Sequence, residues 1–129
     1  MISVSSKYAL SLLLELASFE DETYARVLDL ARSLRLPAPY IAKIVKRLVK
    51  EKILIGRKGP GGGVKLSSLG RKASFYDVCL AVDDPMLEQR CFLSRKSCSE
   101  KSPCALHNEW SQVRRNMLRF LKDSKIVKK

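Results

Sequence analysis

A helix with two distinct faces, followed at once by a glycine-rich hairpin, limits the fold of this chain more than any other feature. In residues 39–51, apolar side chains recur at the i, i+3, i+4, i+7 spacing of a buried helix face, and cations lie on the opposite side. Residues 53–57 and 64–67 are typical of short strands, and the glycine-rich stretch 58–63 between them favours a hairpin turn. A helix pair that runs into such a hairpin predicts a winged helix-turn-helix.

The other periodic segments predict a mainly α-helical chain around this small β-hairpin. Residues 5–19 are almost uniformly apolar, which is typical of a buried helix. Residues 24–35 place apolar side chains at helical spacing and supply the first helix of the helix-turn-helix. Residues 73–83 predict a short helix that carries Cys79 on its apolar face, and residues 105–123 predict a long C-terminal helix.

The 129 residues correspond to a single domain of ordinary size. Within it we expect a DNA-binding region over 1–72 and a second region over 73–129. The second region is expected to combine a cysteine-bearing loop at about 86–107 with the C-terminal helix, which would serve for dimerisation.

Positive charge is concentrated in one stretch of the chain. Lys and Arg number 25 against 13 Asp and Glu, a formal net charge of +12, and residues 43–72 alone carry +9 of it. Such a concentration indicates a polyanionic partner such as nucleic acid, although an isolated basic helix can also be a solvated surface. The glycine-rich turn lacks the G-x-x-x-x-G-K-[ST] spacing of a phosphate-binding loop, which disfavours nucleotide binding.

The predicted DNA contacts lie on the 39–51 helix and on the tip of the hairpin. We expect the start of the helix to face base edges in the major groove, its cations to contact phosphates or bases, and the hairpin to reach the minor groove or the backbone. The predicted set is Ala38, Tyr40, Lys43, Lys46, Arg47, Lys50, Arg57, Lys58, Gly59, Pro60 and Gly61.

The C-terminal helix carries an apolar seam with alternating steps of four and three residues. This a/d pattern is typical of helices that pair, and a two-fold symmetric DNA reader needs such a contact. The alternative is an ordinary amphipathic helix that packs on its own core. The predicted dimerisation residues are Leu106, Trp110, Val113, Met117 and Phe120.

Three cysteines and the only histidine form the constellation Cys91-x6-Cys98-x5-Cys104-x2-His107. Thiolates with an imidazole suit an iron–sulfur cluster or zinc, although structural zinc sites usually show closer cysteine pairs. Inert cysteines and thiol redox chemistry remain alternatives, and the absence of a C-x-x-C motif disfavours the latter. Cys79 is expected to be a small core residue.

Five motifs of the chain resemble those of a known family. Residues 6–9 (SKYA) resemble its first helix, residues 36–41 (LPAPYI) the entry to its recognition helix, and residues 58–63 (KGPGGG) its wing. Residues 77–83 (DVCLAVD) are similar to a further family segment, and Cys104-x2-His107-x2-Trp110 to the cluster loop that leads into the dimerisation helix. On these motifs the chain is identified as a member of the Rrf2 family of bacterial winged helix-turn-helix regulators.

The resemblance implies a homodimeric transcription factor in which Cys91, Cys98, Cys104 and His107 hold a 2Fe–2S cluster. It also implies that the state of the cluster changes which promoters are bound. A 4Fe–4S cluster is less favoured, because relatives that hold one can recruit an acidic residue from the first helix, where this chain has Lys7.

The chain departs from the family pattern in its cysteine loop and in its wing. The first cysteine gap is x6 instead of x5, which bears on cluster type. Lys58 replaces the usual arginine of the wing and Val64 the usual tyrosine. Because lysine lacks the planar fork of arginine, base discrimination by the wing is expected to be weaker.

The sequence therefore predicts a cytoplasmic regulator, mostly a repressor, that binds double-stranded DNA with inverted repeats as a homodimer. It shows no catalytic dyad or triad, so we expect neither an enzyme nor a small-molecule substrate. No apolar run approaches the roughly 20 residues of a membrane-spanning helix, and no secretion signal is evident. The alternative is a zinc-stabilised or cofactor-free winged-helix nucleic-acid-binding protein without cluster sensing.

Overall fold

Helices and one hairpin make up the computed structural model, which describes residues 2–88, 92 and 105–128. The predicted fold class, mainly α with a small β-hairpin and a long C-terminal helix, is confirmed. In chain order the elements are α1 (Val4–Ala17), α2 (Val27–Leu34), α3 (Ala38–Lys50), β1 (Leu54–Arg57), β2 (Gly63–Leu66), α4 (Ser68–Lys72), α5 (Phe75–Ala81), a 3-10 turn (Pro85–Leu87) and α6 (His107–Asp123).

The central helix of the fold is α1, which contacts α2, α3, α5 and β2. Leu12 and Leu13 of this helix are fully buried, as the apolar run predicts. The Ser3 hydroxyl caps its first turn by accepting a hydrogen bond from the Ser6 N–H at 3.1 Å. At the other end the Ser18 hydroxyl donates to the Glu15 carbonyl, so the helix ends two residues before the predicted residue 19.

The wing is a two-stranded antiparallel sheet in which Leu54 pairs with Leu66 and Arg57 with Gly63. A third segment joins its edge, because Ala25 and Val64 exchange two backbone hydrogen bonds of 2.9 and 2.8 Å. This pairing holds residue 25 in an extended conformation. The predicted helix over 24–35 therefore begins only at Val27.

The short helix predicted over 73–83 is present as α5, with narrower bounds. A further short helix that the sequence pattern does not predict, α4, precedes it and is capped by Ser67, whose hydroxyl accepts from the Gly70 N–H at 2.9 Å. The following helix, α5, starts with a capping box between Ser74 and Asp77 and ends at Ala81. Ser74 also pairs with Lys125 beyond α6, which ties the C-terminal end of the chain to the start of α5.

A smaller apolar cluster joins α5 to α6. Cys79, Leu87 and Leu121 form it, and Cys79 is fully buried, which confirms it as a core residue. Burial raises the pKa of the Cys79 thiol above its ordinary value. The division of the chain at residues 72 and 73 stays a prediction. Across the described residues, no helix is long and apolar enough to cross a membrane.

A buried carboxylate, Asp84, fastens the segment after α5 to the start of α1. It accepts hydrogen bonds from the Ser6 hydroxyl at 2.6 Å, the Ser3 N–H at 2.8 Å and the Met86 N–H at 2.9 Å. Burial acts to raise the pKa of Asp84, but these hydrogen bonds outweigh it and hold the pKa below its ordinary value. The carboxylate therefore stabilises the fold above about pH 4 and loses this contribution as the pH falls through its lowered pKa.

Replacing this carboxylate should destabilise the protein. We expect Asp84→Ala to lower the free energy of unfolding by about 3 kcal/mol at pH 7, because it leaves buried donors without an acceptor. Urea unfolding at fixed protein concentration measures the change, with the exposed Glu20→Ala as control. The difference between wild type and Asp84→Ala should shrink as the pH falls below about 4, where the unfolded carboxylate takes up its proton, and through the lowered pKa of the native carboxylate. A difference that stays constant down to pH 2 would contradict the assigned role.

Candidate nucleic-acid interface

The helix α3 has the two faces that its sequence predicts. Ile41, Ile44, Val45 and Leu48 are buried in the main core. The lysines of the opposite side are exposed to solvent: Lys43, Lys46 and Lys50. A lysine face held rigidly against a hydrophobic core can meet a row of phosphates without reorganisation of the backbone.

Tyr40 lies at the start of α3, where the sequence predicts contact with base edges. Its ring packs edge-on against Tyr8 with 5.2 Å between ring centroids, and its hydroxyl lies 2.9 Å from the Ser5 hydroxyl. Tyr40 is 37% exposed, so its outer edge remains accessible. Ala38, the first residue of α3, is half-buried and packs against the main core.

Arg47 differs from the other cations of α3, because its guanidinium is engaged within the protein. Its Nε donates to the Ala81 carbonyl at 2.9 Å, and a terminal nitrogen lies 2.5 Å from the Asp83 carboxylate. A weaker approach of 3.7 Å joins Nε to Glu51 one helical turn later. Direct contact between Arg47 and DNA stays a prediction.

Beside this helix a groove of about 530 Å³ opens between α3, the start of α1 and the end of α5. Tyr40, Ile44 and Val82 contribute apolar surface, while lysines of α3 line the other side. The cationic side of α3 therefore has open space beside it.

The hairpin tip adopts its shape because two glycines have no side chain. A Cβ at Gly62 would lie 2.2 Å from the Arg57 carbonyl oxygen and 2.8 Å from that of Gly59. Gly63 has φ of 143°, and a Cβ there would lie 2.2 Å from the Ala25 carbonyl oxygen. Lys58, Gly59, Pro60 and Gly61 are exposed at the tip.

Tyr24 organises the base of the wing, a role that its sequence pattern does not predict. The Arg57 guanidinium lies 5.7 Å and the Lys65 ammonium 5.1 Å from the centre of its ring. Lys65 also forms an ion pair with Glu22 at 2.6 Å, and this hydrogen bond raises the pKa of Lys65 and lowers that of Glu22. An aromatic residue just before α2 is the only sequence signal for this arrangement.

The ten cations of residues 43–72 are thus not equivalent. Arg71 pairs with Asp21 at 3.1 Å, so Arg47, Lys65 and Arg71 are all matched to acids from outside the stretch. In the described part of the chain no ion pair involves the three lysines of α3 or Arg57 and Lys58 of the wing. Seven cations of the stretch thus form no ion pair among the described residues; five of them lie on α3 and the wing, and the other two are Lys52 and Lys72.

The predicted seam of α6 is largely exposed. Leu106, Val113 and Phe120 are 42%, 56% and 61% exposed, while Trp110 and Met117 are half-buried. Part of the seam packs on the chain's own core, because Met117 contacts the cluster of Cys79, Leu87 and Leu121, and the Phe120 ring lies 6.2 Å from that of Phe75. The role of the exposed part in dimerisation stays a prediction.

Of the predicted cluster ligands only His107 is described, as the half-buried first residue of α6. Cys91, Cys98 and Cys104 lie outside the described residues. Within residues 2–88, 92 and 105–128, no group of three His, Cys, Asp or Glu is placed to hold a metal ion.

The hairpin beside a cationic helix, with an apolar seam on a long terminal helix, defines a winged helix-turn-helix DNA-binding regulator. The family model for Rrf2, described as an iron-dependent transcriptional regulator, matches residues 2–128. The chain belongs to the Rrf2 family. Members of this family regulate transcription, bind DNA and are typically dimers; they are not enzymes.

Individual relatives agree with this assignment. The chain is 29% identical to an HTH-type transcriptional regulator of Aquifex aeolicus, over 98% of this chain and 88% of the relative. It is 25% identical to the HTH-type transcriptional regulator IscR of Pectobacterium atrosepticum, over 93% of this chain and 73% of the relative.

Solved structures share the fold at lower sequence identity. The structure of CymR, the global cysteine regulator of B. subtilis, has a TM-score of 0.80 at 20% identity and covers 98% of this chain and 92% of that one. The structure of T. potens IscR has a TM-score of 0.75 at 17% identity and covers 98% of this chain and 82% of that one.

The shape of the wing provides a test of its part in DNA binding. We expect Gly62→Ala to lower DNA affinity about tenfold, because the new Cβ collides with two backbone carbonyls and must displace the tip. Gly56→Ala is the matched control, since a Cβ there meets only Val49 at 3.9 Å. Fluorescence anisotropy with labelled duplex DNA measures both. Equal affinity of the two variants would exclude the wing tip from the interface.

Proposed function

We propose that this protein is a dimeric transcriptional regulator that binds an inverted-repeat operator, acts mostly as a repressor, and responds to an iron–sulfur cluster. The observation that carries the DNA-binding part is the exposed lysine face of α3 beside a wing whose cations are likewise accessible. These lysines share a rigid helix, and their paired neighbours Arg47, Lys65 and Arg71 are neutralised within the protein.

On this proposal α3 enters the major groove and the wing follows the adjacent backbone. Ala38 and Tyr40 would lie near base edges, while Lys43, Lys46 and Lys50 would contact phosphates. Arg57, Lys58 and the Gly59–Pro60–Gly61 tip would approach the minor groove, where small residues let the backbone come close. Arg57 is pre-oriented for this role by its packing over Tyr24.

The exposed seam of α6 supports a homodimer formed by pairing of this helix with its copy. Val113 and Phe120 expose most of their apolar surface, and pairing would remove it from water. To enter successive major grooves on one side of the duplex, the two copies of α3 in such a dimer have to lie about 34 Å apart. This spacing calls for an operator with inverted repeats.

The donor set for the cluster consists of the thiolates of Cys91, Cys98 and Cys104 with the imidazole of His107. Three sulfur ligands and one nitrogen fit an iron–sulfur cluster, and the family description names iron dependence. When bound, a 2Fe–2S cluster would supply a redox- and oxidant-sensitive group at the start of α6.

Trp110, one turn after His107, fits the same interpretation. Its indole Nε1 is buried and has no hydrogen-bond acceptor among the described residues, and its ring packs against Phe92 with 5.5 Å between centroids. A buried donor without an acceptor costs about 1–3 kcal/mol. A sulfur atom of a cluster would supply an acceptor, and such hydrogen bonds tune cluster potentials.

The lysine face gives a direct test of DNA binding. We expect Lys43→Ala and Lys46→Ala each to weaken binding and to lower the slope of log affinity against log salt by about 2 per dimer, one phosphate contact in each subunit. Lys72→Ala removes the same charge from the basic stretch but lies on neither α3 nor the wing, so its slope should match the wild type. Titrations at several salt concentrations measure these slopes. Equal slopes for all four proteins would contradict the proposed interface.

The dimer seam can be tested with two neighbouring positions on α6. We expect Val113→Glu to dissociate the dimer at micromolar concentration, because it buries an unpaired charge at the contact. Gln112→Glu introduces the same charge at an exposed site about 100° away around the helix and should remain dimeric. Sedimentation equilibrium distinguishes them. A dimeric Val113→Glu variant would place the contact elsewhere.

A further inference from the structure

Arg47 of α3 is bound through its guanidinium to other parts of the protein, whereas the lysines of the same helix form no ion pair within the described residues. The Arg47 guanidinium uses two of its nitrogens at once: Nε binds the Ala81 carbonyl at the end of α5, and a terminal nitrogen binds the Asp83 carboxylate two residues later. Only arginine offers donors in this planar fork. The interaction therefore fixes an angle between α3 and the end of α5, in addition to supplying charge attraction.

The segment that receives Arg47 is anchored to the fold at Asp84, whereas the Asp83 side chain itself is 74% exposed. Asp83 has a left-handed backbone with φ of 54°, and the next residue, Asp84, is buried and bound to the start of α1. A few residues further on, the Leu87 carbonyl accepts a hydrogen bond from Arg114 of α6 at 2.8 Å. One short segment thus contacts the recognition helix, the central helix and the dimerisation helix.

We propose that Arg47 is a positioning residue: it sets the orientation of α3 against the 81–84 segment, and so governs operator recognition without serving as a phosphate contact. This inference rests on the proposed function and differs from the DNA contact predicted from the sequence. Because the same segment reaches α6 through Leu87, a displacement of α6 would be transmitted to α3 through the Arg47–Asp83 pair.

Two substitutions separate the geometry of the interaction from its charge. Arg47→Lys keeps the positive charge but cannot bind Ala81 and Asp83 with one planar group. Asp83→Asn removes the acceptor charge while asparagine tolerates the left-handed backbone at this position. Glu20→Gln makes the same change of charge as Asp83→Asn in an exposed loop and serves as the control.

The first measurement uses the free protein and needs no DNA. Hydrogen exchange of the α3 amides should become faster in both variants: about tenfold in Arg47→Lys, which also loses the bond to the Ala81 carbonyl, and about threefold in Asp83→Asn, because the Asp83 carboxylate is largely exposed. The amides of α2 should be unchanged, and Glu20→Gln should match the wild type. Unchanged exchange in α3 would overturn the positioning role.

The second measurement compares an operator duplex, selected in vitro by the wild-type protein, with a random duplex. Arg47→Lys should lose about tenfold in operator affinity while random-duplex affinity and salt slope stay unchanged. Asp83→Asn should shift operator affinity in the same direction, and the double variant should be no worse than Arg47→Lys alone. Wild-type operator affinity in Arg47→Lys, with a lower salt slope in Arg47→Ala, would show a phosphate contact and overturn the proposal.

The two measurements also separate this inference from the proposed function. If the wild type selects no sequence at all, the proposed function fails. Hydrogen exchange would still decide whether Arg47 orients α3.

Discussion

The burial of α1 at the centre of the fold is the constraint on which the rest of the structure depends. Leu12 and Leu13 are removed from water between α2, α3, α5 and the wing. Burial of two leucines of this size contributes about 3–6 kcal/mol, which is comparable with the net stability of a small domain. Because α3 packs on α1 through its apolar side, the lysines on the opposite side of α3 face solvent.

A second constraint acts at the start of α1, where Asp84 binds Ser3 and Ser6. This contact ties the chain after α5 to the chain before α1, across 81 residues of sequence. The same carboxylate also accepts a hydrogen bond from the Met86 N–H, so the start of α1 and the 3-10 turn after α5 share one buried hydrogen-bond network.

Much of this architecture follows from local patterns in the sequence. The two faces of α3 and the hairpin around residues 58–63 could be predicted because helical spacing and glycine-rich turns depend on nearby residues. The helix α4 could not, since its five residues are too few to show a period and its glycine is required by the close approach of the Ile53 carbonyl. The late start of α2 likewise depends on a long-range pairing with Val64.

The candidate site likewise contains features that could be predicted from the sequence and features that could not. The exposed lysines of α3 could be located from their position opposite the apolar side chains. The engagement of Arg47 by Ala81 and Asp83 could not, because its partners are more than 30 residues away and one of them is a backbone carbonyl. The formal net charge includes such cations as if all of them were free to bind DNA. The structure distinguishes the cations that are paired with acids from those that are exposed to solvent.

We propose that DNA binding by this family member depends on an iron–sulfur cluster held by Cys91, Cys98, Cys104 and His107. The most direct test is to purify the protein without oxygen, count iron and acid-labile sulfide per chain, and measure operator affinity before and after removal of the cluster. We expect visible absorption between about 320 and 460 nm, matched iron and sulfide, and an operator affinity that changes by tenfold or more on cluster loss, a coupling of about 1.4 kcal/mol. A colourless protein that carries zinc or no metal after reconstitution, or equal affinity with and without the cluster, would contradict it.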